Sequence, residues 1–363
     1  MAEAATVHQP RVALVTGGAG FIGCNLVRHL LAGDGDLRVV NLDALTYAGS
    51  EANLAGLAER YGDRYRFIRG DICDRQAVAD LLAEESADTV IHLAAESHVD
   101  RSIDGPAEFL RTNVEGTFAL LEAARAAWAG RDDTRFHHVS TDEVYGSLGP
   151  QGLFTEDTPY DPRSPYSATK AASDHLVRAW AATYGLNVTL SNCSNNFGPW
   201  QFPEKLLPLM ICNALDEKPL PVYGDGGNVR DWLYVADHCE AIDRVVRRGR
   251  RGQTYNVGAR NAWANVDLVR LLCERMDAIR PRPTGRPHEE LITFVPDRPG
   301  HDRRYAIDPA RLESELHWQP RHDFHQALDE TIRWYIDNGQ WTRAVLAERY
   351  DGRRLGLGGN GQP

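Results

Sequence analysis

Tyr166 and Lys170 lie four positions apart in the segment Y-S-A-T-K. On a helix this spacing places both side chains on one face, about one turn apart. A tyrosine titrates near about 10 and is a poor base at neutral pH, but a nearby ammonium favours its phenolate. The pair could therefore take a proton from a substrate hydroxyl while hydride leaves the same carbon. A surface Tyr and Lys at this spacing are common by chance, yet Lys170 is the only lysine among the first 204 residues.

Two adjacent carboxyl groups, Asp142 and Glu143, follow Thr141 at the end of a strand predicted over residues 136–140. Adjacent acids usually lie in a solvated loop. If they are buried, desolvation and mutual repulsion separate their pKa values. One carboxyl group could then act as a base and the other as an acid.

A glycine-rich turn, T-G-G-A-G-F-I-G at residues 16–23, lies between a predicted strand and a predicted helix. Gly17, Gly20 and Gly23 would let the backbone turn tightly and approach a pyrophosphate at the N-terminus of the helix. A tight strand-to-helix turn without a ligand is the simpler alternative. Asp43, at the end of the second predicted strand, favours dinucleotide binding because a carboxylate there can bind ribose hydroxyls. An acid at this place also favours NAD over NADP, whose 2′-phosphate it would repel.

Alternating strands and helices are predicted around these residues. We expect strands at residues 11–16, 37–42, 65–69, 89–93, 136–140 and 187–191, and helices at residues 21–31, 111–127 and 167–184. This order is typical of a parallel sheet with helices on both faces. The predicted fold class is α/β, a Rossmann-type doubly wound parallel sheet with a smaller C-terminal α/β substrate-binding lobe.

The predicted domain limits follow from a change of composition after residue 194, where Pro and Gly become frequent. We assign residues 11–194 to an NAD-binding Rossmann domain, to which a segment near residues 229–256 returns. Residues 195–228 and 257–340 would form the substrate-binding lobe. Residues 1–10 and the glycine-rich residues 351–363 are expected to be disordered tails.

Composition excludes several kinds of protein. The 363 residues carry a net charge of -11 and no long basic run, which argues against nucleic acid as a partner. Six scattered cysteines without a C-x-x-C pair indicate reduced thiols, and neither a metal site nor a disulfide framework is expected. No signal peptide or long apolar stretch is present, so we expect a cytoplasmic protein without a membrane partner.

Several longer motifs resemble one family. They are A-A-E-S-H-V-D-R-S-I at residues 94–103, T-D-E-V-Y-G at 141–146, C-S-N-N-F-G-P-W-Q-F-P-E-K-L at 193–206, R-D-W-L-Y-V at 230–235 and D-R-P-G-H-D-R-R-Y at 297–305. With the glycine turn and Y-S-A-T-K, these motifs are similar to those of the dTDP-glucose 4,6-dehydratases, which belong to the extended short-chain dehydrogenase/reductases. The resemblance extends from about Arg11 to about Trp334 and keeps the order of the motifs.

The resemblance implies a lyase reaction that converts dTDP-glucose to dTDP-4-keto-6-deoxyglucose and water, with NAD as the cofactor. Tyr166, assisted by Lys170, would take the O4 proton as hydride leaves C4. Glu143 would then remove the C5 proton while Asp142 protonates the departing C6 hydroxyl, and hydride would return to C6. Thr141 would help to hold O4. A homodimer that shares a bundle of the helices at residues 111–127 and 167–184 is also implied, although core packing explains their apolar faces equally well.

The resemblance also implies which residues contact the ligands. NAD would be bound by Gly17, Gly20, Phe21, Ile22, Gly23, Asp43, Ala44, Leu45, Thr46, Asp71, Ile72, Ala94, Ala95, Glu96, Ser97, Thr112, Tyr166, Lys170 and Asn196. The nucleotide sugar would be bound by His98, Thr141, Asn195, Lys205, Leu206, Pro221, Val222, Tyr223, Arg230, Asn265, Asp297, Arg298 and His301. A cationic Arg230 or Lys205 suits a diphosphate. Without the resemblance, Arg230 could equally pair with Asp231 or Asp237.

Two other functions use the same features. UDP-glucuronate decarboxylases and 4-epimerases resemble this chain in the glycine turn and the Tyr/Lys pair, but they typically lack an acid at the position of Asp142. A non-catalytic NAD-binding sensor would tolerate loss of Tyr166, Lys170 or the acid pair, and all four residues are present. We therefore favour the dehydratase over both alternatives.

Overall fold

A parallel β-sheet forms the centre of the structure. The computed structural model describes residues 7–297 and 301–349. The strands in these ranges are β1 (Val12–Thr16), β2 (Arg38–Asp43), β3 (Tyr65–Arg69), β4 (Thr89–His92), β5 (Arg135–Thr141), β6 (Val188–Cys193), β7 (Asn195–Phe197), β8 (Leu220–Tyr223), β9 (Val229–Tyr234), β10 (Thr254–Val257), β11 (Ala262–Ala264) and β12 (Ile292–Val295). Seven of them form the main sheet in the order β10-β6-β5-β4-β1-β2-β3, and all neighbours are parallel.

The helices follow the strands in alternation through the first half of the chain. The α-helices in the described ranges are α1 (Phe21–Gly33), α2 (Leu57–Tyr61), α3 (Arg75–Glu84), α4 (Val99–Asp104), α5 (Pro106–Phe109), α6 (Thr117–Ala127), α7 (Pro165–Tyr184), α8 (Leu206–Leu215), α9 (Val235–Arg248), α10 (Asn265–Ile279), α11 (Ala310–Leu316), α12 (Phe324–Asp337) and α13 (Gly339–Arg349). None of the described helices has the length and apolar character needed to cross a membrane.

The two faces of the main sheet are covered by separate apolar clusters. Val15 and Ile91 belong to the cluster that α1 and α9 complete, whereas Leu14 and Val90 belong to the one that α3, α6 and α7 complete. Neighbouring residues of one strand point to opposite faces, and both faces of a parallel sheet are normally buried under helices. The predicted fold class, a Rossmann-type doubly wound α/β sheet, is confirmed.

The helix predicted at residues 111–127 is interrupted in the structure. After α5, the segment Leu110–Gly116 is a π-helix, and regular α-helix resumes only at α6. Within this segment the Asn113 carbonyl oxygen accepts hydrogen bonds from the Thr117 hydroxyl at 2.5 Å and the Ser173 hydroxyl at 2.6 Å. Side chains that bind a helical carbonyl compete with the regular backbone ladder and permit such a bulge.

Two small sheets lie outside the main one. One has the order β11-β9-β7 and the other pairs β12 with β8. Phe197, Trp232 and Leu268 are among the residues of a third apolar cluster, which α8, α10 and α12 complete. The segment expected to return near residues 229–256 is divided between these parts: its helix α9 packs on α1 and its strand β10 joins the main sheet, but β9 belongs to the three-stranded sheet.

Candidate active site

The glycine turn joins β1 to α1 at the carboxyl edge of the main sheet. Gly17 adopts a φ of +74°, and a methyl group there would lie 2.7 Å from the backbone nitrogen of Ala94. A methyl group on Gly23 would lie 2.1 Å from the carbonyl oxygen of Gly17. Both positions therefore need glycine, because β1, β4 and α1 approach one another without room for a side chain. The turn leaves backbone close to the start of a helix, as a pyrophosphate site requires.

Asp43 ends β2 beside this turn. Its Oδ2 accepts a hydrogen bond from the Ala19 backbone N–H at 2.8 Å, and its Oδ1 accepts one from the Leu45 N–H at 2.7 Å. These bonds hold the carboxylate at the edge of the cleft in one orientation. An oriented carboxylate at the end of the second strand is suited to bind the hydroxyls of a ribose.

A cavity of about 360 Å³ opens along the carboxyl ends of the parallel strands. The structure brings most of the predicted cofactor residues to its wall: Gly17, Gly20, Phe21, Ile22, Gly23, Asp43, Ala44, Thr46, Asp71, Ile72, Ala94, Ala95, Glu96, Ser97, Thr112, Tyr166, Lys170 and Asn196. Leu45 lies beside this wall, bound through its backbone to Asp43. Ligands of doubly wound sheets bind at this edge.

Thr141, Asp142 and Glu143 line the same cavity. Thr141 ends β5 and caps the short 3₁₀ helix Asp142–Tyr145, its Oγ1 accepting from the Glu143 N–H at 3.3 Å. Asp142 is 2% exposed, and its Oδ2 has no hydrogen-bond partner among the described residues. Burial and then the charge of Glu143 raise the pKa of Asp142 well above its ordinary value, against the opposing charge of Arg230. The two adjacent acids therefore differ in exposure, because Glu143 is only half-buried.

Tyr166 lies in the first turn of α7, is buried and lines the same cavity. We expected the Lys170 ammonium to lower its pKa, but the net direction is the opposite. Burial, and then the charge of Glu143, raise the pKa of Tyr166 well above its usual range, and a hydrogen bond with Thr141 only partly offsets this. An ionised phenol at this place therefore needs additional positive charge in the cleft.

Lys170 lies one turn after Tyr166 and is 4% exposed. Its Nζ donates to the Val139 carbonyl oxygen at 2.9 Å and lies 3.4 Å from His138 Nε2. Burial lowers the pKa of Lys170, whereas the charge of Asp174 opposes that lowering. The predicted side-chain pair is thus brought to one cavity, with the ammonium anchored on the β5 backbone.

Of the predicted substrate residues, Asn195 and Lys205 line the cavity together with Thr141. Lys205 precedes α8, so that Leu206 is the first residue of that helix. His98 precedes α4, and its Nε2 lies 3.3 Å from Glu204 Oε1, next to Lys205 in sequence. Burial lowers the pKa of Lys205, while the charges of Glu204 and Glu143 oppose this.

A second group of predicted substrate residues lies outside the cavity wall. The Tyr223 and His301 rings are 6.5 Å apart between centroids, and His301 Nδ1 lies 2.6 Å from Asp297 Oδ1. Pro221, Val222 and Tyr223 form β8, and Asn265 begins α10 with a buried Oδ1 that has no hydrogen-bond partner in the described ranges. Arg298 lies outside the described residues.

Arg230 lies on β9, beside residues 302–305. Its Nη2 donates to the Asp302 carbonyl oxygen at 2.9 Å, and its guanidinium lies 4.2 Å from the centroid of the Tyr305 ring. The oxygens of Asp231 and Asp237, which we had considered as partners, accept other hydrogen bonds, including those from the Asn261 and Arg321 backbones. Arg230 also acts electrostatically on Asp142.

Several residues of this site were not predicted from the sequence. Tyr47, Glu108, Arg111, Cys193, Ser194, Gln201 and Phe202 also line the cavity. Arg111 lies within 2.5 Å of the Asp71 carboxylate, an ion pair at the rim. Asp174 was missed as well, although it stands four positions after Lys170 and its spacing on α7 could have indicated it.

Known proteins are similar to this chain over most of its length. The sequence profile of the family described as GDP-mannose 4,6 dehydratase matches residues 14–331. A dTDP-glucose 4,6-dehydratase of Xanthomonas campestris pv. campestris is 57% identical over 348 residues, covering 94% of this chain and 98% of that protein. One from Escherichia coli is 51% identical over 361 residues, covering 95% of this chain and 99% of its own length.

Solved structures of dehydratases and of epimerases are both similar to this chain. The crystal structure of DesIV, a dTDP-glucose 4,6-dehydratase from Streptomyces venezuelae with NAD and TYD bound, is similar with a TM-score of 0.85 at 45% identity, covering 92% of this chain and 99% of that one. A UDP-glucose 4-epimerase of Thermotoga maritima reaches a TM-score of 0.79 at 27% identity, covering 90% and 99%. Both structures share the fold of this chain, but the sequence identity to the dehydratase is higher. Asp142 and Glu143 both line the cavity of this chain. The chain belongs to the family of the dTDP-glucose 4,6-dehydratases.

Proposed function

We propose that this protein is an NAD-dependent dTDP-glucose 4,6-dehydratase, which forms dTDP-4-keto-6-deoxyglucose and water. The observation that carries the proposal is the meeting of Tyr166, Lys170, Asp142 and Glu143 at one cavity. A dehydrogenase needs only the phenol and the ammonium. Water loss needs a further base and a further acid, and the two carboxyl groups supply them.

The residues of the cleft fit NAD. Gly17 and Gly23 have no room for a side chain, so only backbone atoms would face a pyrophosphate bound at this turn. Asp43 would hold the ribose hydroxyls, and the other predicted cofactor residues on the wall would contact the rest. When bound, NAD⁺ supplies the hydride acceptor for C4, the hydride for C6, and a positive charge that favours an ionised Tyr166 in the same cleft.

The side chains divide the proton transfers between them. Tyr166 takes the O4 proton, with Thr141 holding both the phenol and the substrate oxygen. The ketone at C4 makes the C5 proton acidic, and Glu143, which lines the same cavity, removes it. Burial and the charge of Glu143 raise the pKa of Asp142, which favours its protonated form, and Asp142 gives that proton to the departing C6 oxygen. When hydride returns to C6, Glu143 gives the proton that it took back to C5.

We assign the nucleotide sugar to the side of the cavity that faces the second group of residues. Lys205, together with Asn195 and His98, would hold the part nearest the catalytic residues. Arg230, Asn265 and the cluster of Tyr223, Asp297 and His301 would hold the diphosphate and nucleoside, and the predicted Pro221, Val222, Leu206 and Arg298 belong to the same proposed surface. We propose that residues 11–194, with α9 and β10 of the 229–256 segment, form the cofactor lobe. Residues 195–228 and 257–340, together with β9, would form the substrate lobe.

We also propose a homodimer and a cytoplasmic location. Leu110, in the π-helix before α6, and Tyr184, the last residue of α7, are 55% and 53% exposed on the layer that these helices form. Packing this layer against a second copy would cover both side chains. The six cysteines are free thiols, which suits a reducing compartment where NAD and nucleotide sugars are available.

The proposed function is tested by incubating the purified protein with dTDP-glucose, UDP-glucose and GDP-mannose. We expect a 4-keto product with the mass of one water lost from dTDP-glucose, and at least about a hundredfold lower turnover of the other two. Preferred turnover of UDP-glucose or GDP-mannose, or epimerisation without water loss, would contradict the proposal.

The variant Glu143→Gln separates the two halves of the reaction. It should still oxidise C4, because Tyr166 and Lys170 remain, and then stall before water loss. The expected observation is reduced cofactor that persists after mixing with dTDP-glucose, and about a hundredfold or greater loss of product formation. Tyr166→Phe is the control, since it should give neither reduced cofactor nor product. Water loss at the normal rate in Glu143→Gln would remove the assigned role.

A further inference from the structure

A buried polar cluster lies behind Lys170, on the side away from the cavity, and the chemistry above does not use it. Its centre is Asp174, which follows Lys170 by one turn on α7 and is fully buried. An ionised carboxylate at such depth costs much free energy unless charges and hydrogen bonds compensate it. A carboxylate in this position therefore requires a physical explanation.

The contacts of Asp174 connect it with the catalytic lysine. Its Oδ2 accepts hydrogen bonds from the Ser140 hydroxyl at 2.9 Å and the Tyr160 hydroxyl at 2.8 Å. Its Oδ1 lies 3.2 Å from His138 Nε2, which in turn lies 3.4 Å from Lys170 Nζ. The carboxylate is thus held between β5 and the loop before α7, within one side chain of the ammonium.

The charges around this pair come from several elements. His138 on β5 and His92 on β4 face it, but burial lowers the pKa of His138 to about 4 and that of His92 well below its usual value. Burial likewise raises the pKa values of Cys193 on β6 and of Tyr160 and Tyr145, so these groups are neutral too. Arg178 is a further cation of this cluster, and it donates to the Tyr160 hydroxyl at 2.7 Å.

Asp174 itself remains ionised. Burial opposes its ionisation, but the contact with His138, the charge of Lys170 and the Tyr160 hydroxyl outweigh burial and lower its pKa. For Lys170 burial has the larger effect and lowers its pKa. Asp174 is the strongest of the charges that oppose this lowering. A neutral lysine could not favour an ionised phenol at Tyr166.

We propose that Asp174 is a positioning residue for the reaction, whose buried carboxylate keeps Lys170 charged beside Tyr166. The inference rests on the proposed function only in taking Lys170 as part of the oxidation step. Asp174 touches neither substrate nor cofactor in this account and acts through Lys170 alone.

The test is the pH dependence of kcat/KM for dTDP-glucose in Asp174→Asn, which removes the charge and keeps the shape. Without the carboxylate Lys170 loses its proton more easily, so activity should be present at low pH and fall as pH rises. We expect the loss between about pH 7 and pH 9 to be about tenfold greater than in the wild type. A profile with the wild-type shape, at any level of activity, would overturn the proposal.

Tyr160→Phe is the matched control. It removes a hydrogen bond to the same carboxylate but leaves the charge, so it should lower activity by a similar factor at every pH. A purely structural role of Asp174 would give this uniform loss in Asp174→Asn as well. The shape of the profile therefore separates the two roles.

A stability measurement covers the case in which Asp174→Asn does not fold. Lys170→Met leaves the Asp174 charge buried without the Lys170 ammonium, whereas Lys170→Met/Asp174→Asn lacks both charges. The double variant should then unfold at a higher urea concentration than Lys170→Met. Equal or lower stability of the double variant would contradict the proposal. This comparison needs no substrate, so it can succeed even if the wild type fails to dehydrate dTDP-glucose, which would refute only the proposed function.

Discussion

Asp142 and Glu143 are neighbours in sequence but lie in different surroundings. The first is buried at the end of β5 and keeps an oxygen without a hydrogen-bond partner in the described part of the chain, while the second is half-buried beside the same cavity. Burying an unsatisfied carboxyl group destabilises a fold, and such groups persist where function needs them. The acid of the proposed reaction should therefore reduce the stability of this protein.

Replacing Asp142 by Asn should raise stability near neutral pH while it slows water loss. Burial, then Glu143, raise the Asp142 pKa above its unfolded value, so its favourable contribution exists at acid pH and is lost as pH rises through the folded-state pKa. An amide does not titrate, so the variant's advantage should be about 1–3 kcal/mol near pH 8 and should shrink toward pH 4. Urea unfolding at both pH values measures this difference.

Asp225→Asn provides a control of opposite sign. That carboxyl group is exposed, and the hydrogen bond from Arg303 lowers its pKa. Its contribution is present above the unfolded pKa and lost at acid pH, so the variant should be slightly less stable near neutral pH. If Asp142→Asn behaves like Asp225→Asn, the buried carboxyl group does not carry the cost assigned to it.

The turn between β1 and α1 shows how closely these elements must pack around the cofactor cleft. Gly23→Ala should destabilise the protein by about 1–3 kcal/mol and weaken NAD binding, because its methyl group would meet the Gly17 carbonyl oxygen. Denaturant unfolding and NAD titration measure the two effects. Gly33→Ala, at the other end of α1 with no atom within 4 Å of the new methyl group, should instead stabilise by about 0.5–1 kcal/mol. Equal effects of the two substitutions would show that crowding at the turn is unimportant.

The first six strands were predictable from sequence, but the interruption before α6 was not. Buried strands are short apolar runs between turns, so periodicity located β1 to β6 within one or two residues. The π-helix at Leu110–Gly116 depends on Ser173, which reaches Asn113 from another helix 60 positions along the chain. The same limit applies to the site: motif spacing indicated Tyr166 with Lys170, whereas the role of burial in raising the Tyr166 pKa appears only once the elements pack.

For the whole molecule, the proposed dimer can be tested by its mass in solution. Tyr184→Glu places a charge on the layer of α6 and α7, where it would be buried between two copies, so we expect the mass to fall by half. Phe294→Glu is the matched control, because Phe294 is 55% exposed on β12, away from that layer. A wild-type protein with the mass of one chain, or equal effects of both variants, would exclude this dimer.

The last described helix is joined to one of the first loops. Trp341 Nε1 donates to Asn53 Oδ1 at 2.8 Å, and Asn53 Nδ2 donates to the Ala19 carbonyl oxygen in the glycine turn at 2.7 Å. Residues 53 and 341 are separated by 288 positions, so this contact can form only after almost all of the described chain has left the ribosome. The glycine turn thus receives one of its supports from a residue synthesised 288 positions after Asn53.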